Sequence, residues 1–180
     1  MQLSKAVDNL CLFDPEFKFF ADRFLAELGS SADIFEVKTM DDLKTALSSY
    51  TGVKFLEVVL HGTPGMLYMG NMAMMGSYLA TLAKTNRGLL QKNARILFDS
   101  CSIGKGESGD KFMDELGTGL LQGKGGIIGA TTVDNWVFPL LPWTGAYMKP
   151  LSFGRLKVKK YDENGQLVAS EQTDRHHIKR

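Results

Sequence analysis

The sequence is short of the features that would mark it as anything but a soluble-type globular domain. Only two of its 180 residues are cysteine, Cys11 and Cys101, which excludes a disulfide framework. Both sit on or just after apolar runs that read as strands. If those strands stand two places apart in a sheet, their Cα atoms lie roughly 9–10 Å apart, too far for an S–S bond. Free thiols and a reducing working environment are expected. Neither sign of charge dominates: 21 Lys+Arg against 20 Asp+Glu leave a net charge of +1, which argues against a nucleic-acid surface. No apolar run approaches the ~20 residues that span a bilayer. The N-terminal stretch has one lysine and no long apolar segment, so it does not read as a signal peptide. The expected location is cytoplasmic, or outside the cell by a signal-free route. Of three histidines, His176 and His177 are adjacent in a basic tail with no spaced partner, so neither a metal nor a cofactor is expected.

What is present is an alternation of strand and helix signals. With 44% apolar and 23% charged residues, the chain fits one domain over 1–180, large enough for a real core. Residues 173–180 read as a polar, mobile tail. Asn9 to Phe13 is a short apolar run, and Asp14-Pro15 then supplies an N-cap with proline at the first helical position. Phe17, Phe20, Phe24, Leu25 and Leu28 recur at helical spacing up to Gly29. Asp33 to Lys38 is a second strand, and Thr39 to Asp42 opens a second helix. The apolar run Phe55 to Leu60 belongs to a third strand that ends at His61, with Gly62 following. Thr63-Pro64-Gly65 is a turn, and Met66–Met69 and Met72–Met75 flank Gly70-Asn71 as a hairpin. Its methionines read as packing more than as a substrate-facing lip.

A helix over Ser77–Lys84 leads to a fourth strand, whose apolar run Ala94–Phe98 continues to its end at Asp99, with Ser100-Cys101 following. A loop is expected over Ser102–Gly109, a helix over Lys111–Leu121, and a Gly-rich fifth strand over Gly125–Thr131. Trp136–Pro150, with Phe138, Trp143 and Tyr147, reads as a loop or short helix. Arg155–Tyr161 and Gln166–Glu171 flank Asn164-Gly165, a hairpin signal. The order implies an α/β fold: a mostly parallel central sheet, helices on both faces, and a C-terminal β-hairpin at an edge.

In an open parallel sheet, reactive groups collect beyond the carboxyl ends of the strands. His61 and Cys101 both lie there. A thiol beside an imidazole is a nucleophile beside its base, or beside the general acid for a leaving amine. The backbone N–H groups of Gly62 and Cys101 are the candidate oxyanion donors, since glycine permits close approach. Spacing alone leaves open the plainer reading, in which Cys101 is a small buried hydrophobe and His61 a satisfied strand-end histidine.

The ordered set of motifs narrows this. His61-Gly62-Thr63-Pro64-Gly65, followed by Met66-Leu67-Tyr68-Met69-Gly70-Asn71, resembles the histidine motif of caspase-like domains in large bacterial surface proteins. Cys101 with Gly104, Gly106, Gly109 and Phe112 resembles their cysteine motif, and Gly129-Ala130-Thr131 their next strand. The resemblance covers about residues 9–135. It implies the three-layer caspase–hemoglobinase-like fold and the cysteine peptidase clan of caspases, metacaspases, gingipains and separase. There, the residues matching His61 and Cys101 form the dyad, with no obligatory third member.

Asp99-Ser100-Cys101-Ser102-Ile103-Gly104 also resembles the metacaspase motif Asp-Ser-Cys-His-Ser-Gly, in which the aspartate lines the S1 pocket. That implies cleavage after Arg or Lys, held by a charge-assisted carboxylate pair. Regular strand alternation would put Asp99 on the same side as Cys101. Asp14, at the end of the first strand, is the next S1 candidate, and a turn or cap role for Asp99 stays open. The chain departs from the caspase signature Gln-Ala-Cys-[Arg/Gln/Gly]-Gly, and carries Ser102 where metacaspases carry histidine. No cleavable intersubunit linker is evident, which turns attention to an activating partner or ligand. The expectation is a thiol-dependent endopeptidase acting on protein or peptide, as a processing protease or an effector. The alternatives are a catalytically silent caspase-like binding or regulatory module, and a thiol acyltransferase or transpeptidase.

Overall fold

The structure, a computed structural model, describes residues 4–132, 138–141, 146–148 and 156–173. In chain order its elements are β1 (Lys5–Ala6), β2 (Asn9–Phe13), a 3-10 turn (Pro15–Phe17), α1 (Lys18–Leu28), β3 (Ala32–Glu36), α2 (Met40–Ser49), β4 (Tyr50–Thr51) and β5 (Val53–Val59). Then follow β6 (His61–Thr63), β7 (Met66–Met69), β8 (Met72–Met74), α3 (Gly76–Ala83), β9 (Leu90–Phe98), α4 (Gly106–Leu120) and β10 (Gly126–Thr131). The last are β11 (Phe138–Leu141), β12 (Ala146–Met148), β13 (Leu156–Tyr161) and β14 (Leu167–Thr173).

The result is a mixed α/β architecture. Seven strands form one sheet in the order β14-β13-β10-β9-β5-β2-β3. Neighbours from β3 through β10 are parallel, and β13 and β14 add antiparallel strands at one side. The chain steps outward from β2 to β3, then crosses back past β2 to β5. The direction of winding therefore reverses between β2 and β5, and at such a switch point the carboxyl ends of the strands diverge to leave a crevice.

Alternation sorts the sheet's side chains between two cores. Leu10, Leu12, Leu56, Val58, Ile96, Phe98, Ile128 and Ala130 pack with α2, α3 and α4. Cys11, Phe13, Phe55, Val59 and Leu97 pack on the other face with Ala21 and Phe24 of α1. Local signals decide where helices begin. Thr39 and Asp42 form a reciprocal capping box at α2: the Asp42 N–H donates to Thr39 Oγ1 at 3.2 Å, and the Thr39 N–H donates to Asp42 Oδ2 at 2.9 Å.

Three segments differ from the sequence reading. α4 begins at Gly106, whereas a loop was expected to run to Gly109. Its glycines lower helix propensity but serve packing: a Cβ at Gly109 would lie 2.2 Å from the Gly104 carbonyl carbon, and one at Gly117 would lie 2.3 Å from the Tyr161 ring. β5 ends at Val59, and His61 opens the separate β6–β7–β8 meander instead of closing the strand. Within Trp136–Pro150, Phe138–Leu141 and Ala146–Met148 pair as antiparallel strands, not as a loop or short helix. The register shifts next to Pro139, as a residue without an N–H requires in a ribbon. Trp136 and Trp143, like the tail from 174 to 180 with His176 and His177, lie outside the described residues. No helix among the described residues is long and apolar enough to cross a membrane.

β13 is fastened to α4 by charge as well as by packing. Lys159, whose side chain is only 5% exposed, reaches Asp110 at 3.0 Å and Asp114 at 2.8 Å. Lys157 joins Asp110 at 3.0 Å, and the Tyr161 hydroxyl donates to Asp114 at 2.8 Å. Burial pushes the Asp110 carboxyl up, but its bonds from Lys159 and Lys157 bring it to a net position below its ordinary 3.8. Burial pushes Lys159 down, and the two aspartates more than reverse that. Replacing both Asp110 and Asp114 by Asn strands a buried ammonium. The expected loss is ~3 kcal/mol in urea unfolding. Asp110 contributes stability above its unfolded pKa, and that stability is lost as pH falls through its lower folded value. The double variant should accordingly show a flatter loss of stability on the acid side.

Candidate active site

β9, β5 and β2 are consecutive neighbours in the sheet, so the segments leaving their carboxyl ends meet. The Asp14 N–H donates to Val59 O at 2.9 Å, and the Asp99 N–H donates to Val58 O at 2.9 Å. These bonds level the three exits. From them emerge Asp14-Pro15-Glu16-Phe17, His61-Gly62 and Asp99-Ser100-Cys101.

Gly62 is where the histidine and cysteine segments touch. A Cβ there would lie 2.9 Å from Ser100 Cβ, 3.1 Å from the Cys101 carbonyl oxygen and 3.4 Å from the Cys101 nitrogen. Only a residue without a side chain allows this approach. Both candidate oxyanion donors thus belong to one tight backbone contact. The Leu60 N–H donates to Ser100 Oγ at 3.4 Å, and the Thr131 hydroxyl donates to the Ser100 carbonyl, which ties in β10. Beyond the cysteine, the Gly104 N–H donates to Thr131 O at 2.8 Å and the Gly65 N–H to Ile103 O at 3.0 Å. Ser102 takes a positive φ of 50° and is buried. Phe112 stands edge-on to Phe98 at 5.1 Å, anchoring α4 beneath the loop. The spacing Cys101, Gly104, Gly109, Phe112 is therefore a packing pattern: Gly104 lies against Ala130, Gly109 against Gly104, and Phe112 against the strand that delivers the cysteine.

Cys101 is half-buried in a turn, and Cys11 is fully buried on β2; the two do not form a disulfide. His61 is partly exposed. Its Nε2 stands 3.2 Å from Glu16 Oε2, and its ring packs on Phe17 with centroids 4.7 Å apart. Across the meander His61 is paired with Tyr68, so the two share a face, and the Tyr68 hydroxyl lies 3.3 Å from Thr63 Oγ1. Met69 and Met74 are buried beneath this meander while Met66, Met72 and Met75 are exposed, so the methionines divide between packing and surface.

The two S1 candidates part ways. β9 ends at Phe98, so alternation does not extend from Asp99 to Cys101, and Asp99 is 4% exposed. Asp14 is half-buried and caps the 3-10 turn, its Oδ1 accepting the Glu16 N–H at 3.0 Å. Glu16 was not picked out by the sequence reading. The signal was present in Asp-Pro-Glu, a capped turn that projects its third residue next to the neighbouring strand's exit. Ligand atoms of Asp14, Glu16 and His61 all lie within 4.8 Å of one another.

The α/β sheet thus carries an imidazole and a thiol at adjoining strand exits. Residues 25–124, more than half of the chain, match the family described as Domain of unknown function (DUF4347), and the chain belongs to that family. A search of curated proteins returns no match.

The Gly62 contact makes a direct prediction. Gly62→Ala forces the Ser100–Cys101 backbone outward and should cost ~1–3 kcal/mol in urea unfolding, an overpacking effect. An unchanged midpoint would mean that the two segments are not in the tight contact described.

Proposed function

We propose that this chain is a cysteine endopeptidase of caspase-like fold, using His61 and Cys101. The observation that carries the reading is the seating of Gly62 against Ser100 and Cys101 at adjacent strand exits. It joins the nucleophile's backbone to the segment bearing the base. The carboxylate of Glu16 beside Nε2 favours a proton on that nitrogen, which leaves Nδ1 as the acceptor for the thiol proton.

The chemistry follows from the parts. The thiol proton passes to the imidazole, and the thiolate attacks the peptide carbonyl carbon. The carbonyl electron pair moves onto oxygen, where the N–H groups of Gly62 and Cys101 receive the negative charge. When the intermediate collapses, the C–N bond breaks and His61 returns the proton to the departing amine. Water then attacks the thioester, His61 takes its proton, and the acid product leaves with the thiol restored. A preference for Arg or Lys before the cleaved bond is supported by the carboxylates of Asp14 and Glu16 beside His61, with Asp99 at the exit of the adjoining strand. Asp99 is the first candidate for S1 and Asp14 the second.

The acyltransferase alternative would want an enclosed apolar pocket at the thiol. An apolar cavity does lie in the core, walled by Leu12, Leu43, Leu56, Leu79 and Phe98, but neither His61 nor Cys101 lines it. The surroundings of His61 are acidic and open, which fits a peptide cleft better.

The test uses the full chain with Arg- and Lys-terminated fluorogenic peptides and an acyloxymethyl ketone probe. Cleavage and labelling are expected, both lost in Cys101→Ala and cleavage reduced by at least ~10²-fold in His61→Ala. Asp99→Ala should remove the preference for basic residues. Neither cleavage nor labelling of the intact protein would overturn the peptidase reading.

A further inference from the structure

The residues beside His61 form a donor set that a dyad alone does not need. We infer that Asp14, Glu16 and His61 bind a divalent transition cation of the Zn2+ type, and that this ion holds His61 out of catalysis. The inhibitory half rests on the peptidase reading above; the binding half does not.

Geometry supports the binding. Around tetrahedral zinc, with bonds of about 2.0–2.2 Å, neighbouring ligand atoms stand roughly 3.3–3.5 Å apart. His61 Nε2 and Glu16 Oε2 are already 3.2 Å apart. The Asp14 ligand atom is within 4.8 Å of both, and a side-chain rotation closes the remainder. The capping bond engages Oδ1 of Asp14, and the same carboxylate has a second oxygen to offer.

The position supports it independently. Asp14 and Glu16 leave β2 and His61 leaves β5, the two strands between which the winding of the sheet reverses. That crevice is the favoured place for a ligand in an open α/β sheet. The parts are held by the fold rather than gathered by the ion: the Asp14 N–H is bonded to Val59 O, and the imidazole is backed by Phe17. His61 and Glu16 keep 46% and 73% of their side-chain surface, leaving room for water at the remaining coordination position.

The donor chemistry selects the ion. One imidazole and two carboxylates suit zinc and its neighbours in the transition series, whereas Ca2+ and Mg2+ prefer all-oxygen shells. Three protein ligands with an open position differ from the closed four-ligand set of structural zinc. Once Nε2 gives its lone pair to the ion, the ring proton sits on Nδ1. The imidazole then has no nitrogen with which to accept the thiol proton, and the Glu16 carboxylate is committed to the ion as well.

The experiment uses full-length Cys101→Ala protein, so that the thiol cannot act as a ligand, with His176 and His177 also replaced by Ala. Calorimetric titration with Zn2+ should show one ion bound per chain with a dissociation constant on the order of micromolar, and Co2+ should give the visible bands of a tetrahedral complex. Asp14→Asn, which keeps the turn's cap, and Glu16→Gln should each weaken binding at least ~10-fold. Millimolar Mg2+ or Ca2+ should not displace the zinc. No stoichiometric binding, binding unchanged in both variants, or displacement by Mg2+ overturns the site, whether or not the chain cleaves peptides. In the protein with Cys101 intact, micromolar Zn2+ should stop peptide cleavage, and Glu16→Gln should raise the zinc needed by a similar factor. Inhibition that does not move in Glu16→Gln overturns the inhibitory role and leaves the peptidase reading standing.

Discussion

Two backbone hydrogen bonds set the level at which the candidate chemistry occurs. Asp14 and Asp99, the first residues past their strands, both donate to β5, at Val59 and Val58. Parallel strands emerge from a sheet at whatever height their register dictates, and a slip of one residue would also turn every side chain to the opposite face. Because β2, β5 and β9 are held level, three loops from distant parts of the sequence leave the sheet side by side. The His61 ring, the Glu16 carboxylate and the Cys101 turn inherit their proximity from that register.

The loops are then drawn closer than side chains would allow. Gly62 against Ser100 and Cys101, Gly104 against Ala130, and Gly109 against Gly104 are all approaches that a methyl group would block. Glycine is poor material for a helix, and Gly106 and Gly109 sit in the first turn of α4. The local cost is accepted where it lets a helix start press directly beneath a cysteine turn. Phe112, one turn further on, then locks the helix to Phe98.

Much of this was legible in the residues. Apolar runs bounded by Gly and polar residues placed the parallel strands, although the fourth stops at Phe98, one residue short of the expected Asp99. The Thr39–Asp42 box marked a helix start because its physics is local. What was not legible depended on tertiary contact. Gly106 and Gly109 read as loop because the seating of Gly109 on Gly104 belongs to the folded turn and outweighs their poor helix propensity. Asp99 and Cys101 would share a side only on a strand that continued beyond Phe98, where β9 ends. Glu16 drew no notice because its importance comes from His61, a residue of the neighbouring strand's exit. Pro139 argued against a strand, yet a two-stranded ribbon with a shifted register accommodates it.

The place of β2 in the sheet has a consequence for how this domain can be cut. The family match begins at residue 25 and ends at 124, whereas β2 lies before it and β10 after it. β2 is the partner of both β3 and β5, and β10 is the outer partner of β9. A fragment bounded by the match would leave β3 with no neighbour and β5 and β9 each with a bare edge of N–H and C=O groups. Such edges recruit strands from other molecules. The matched window and the hydrogen-bonded sheet are thus different objects here, and the second is the larger.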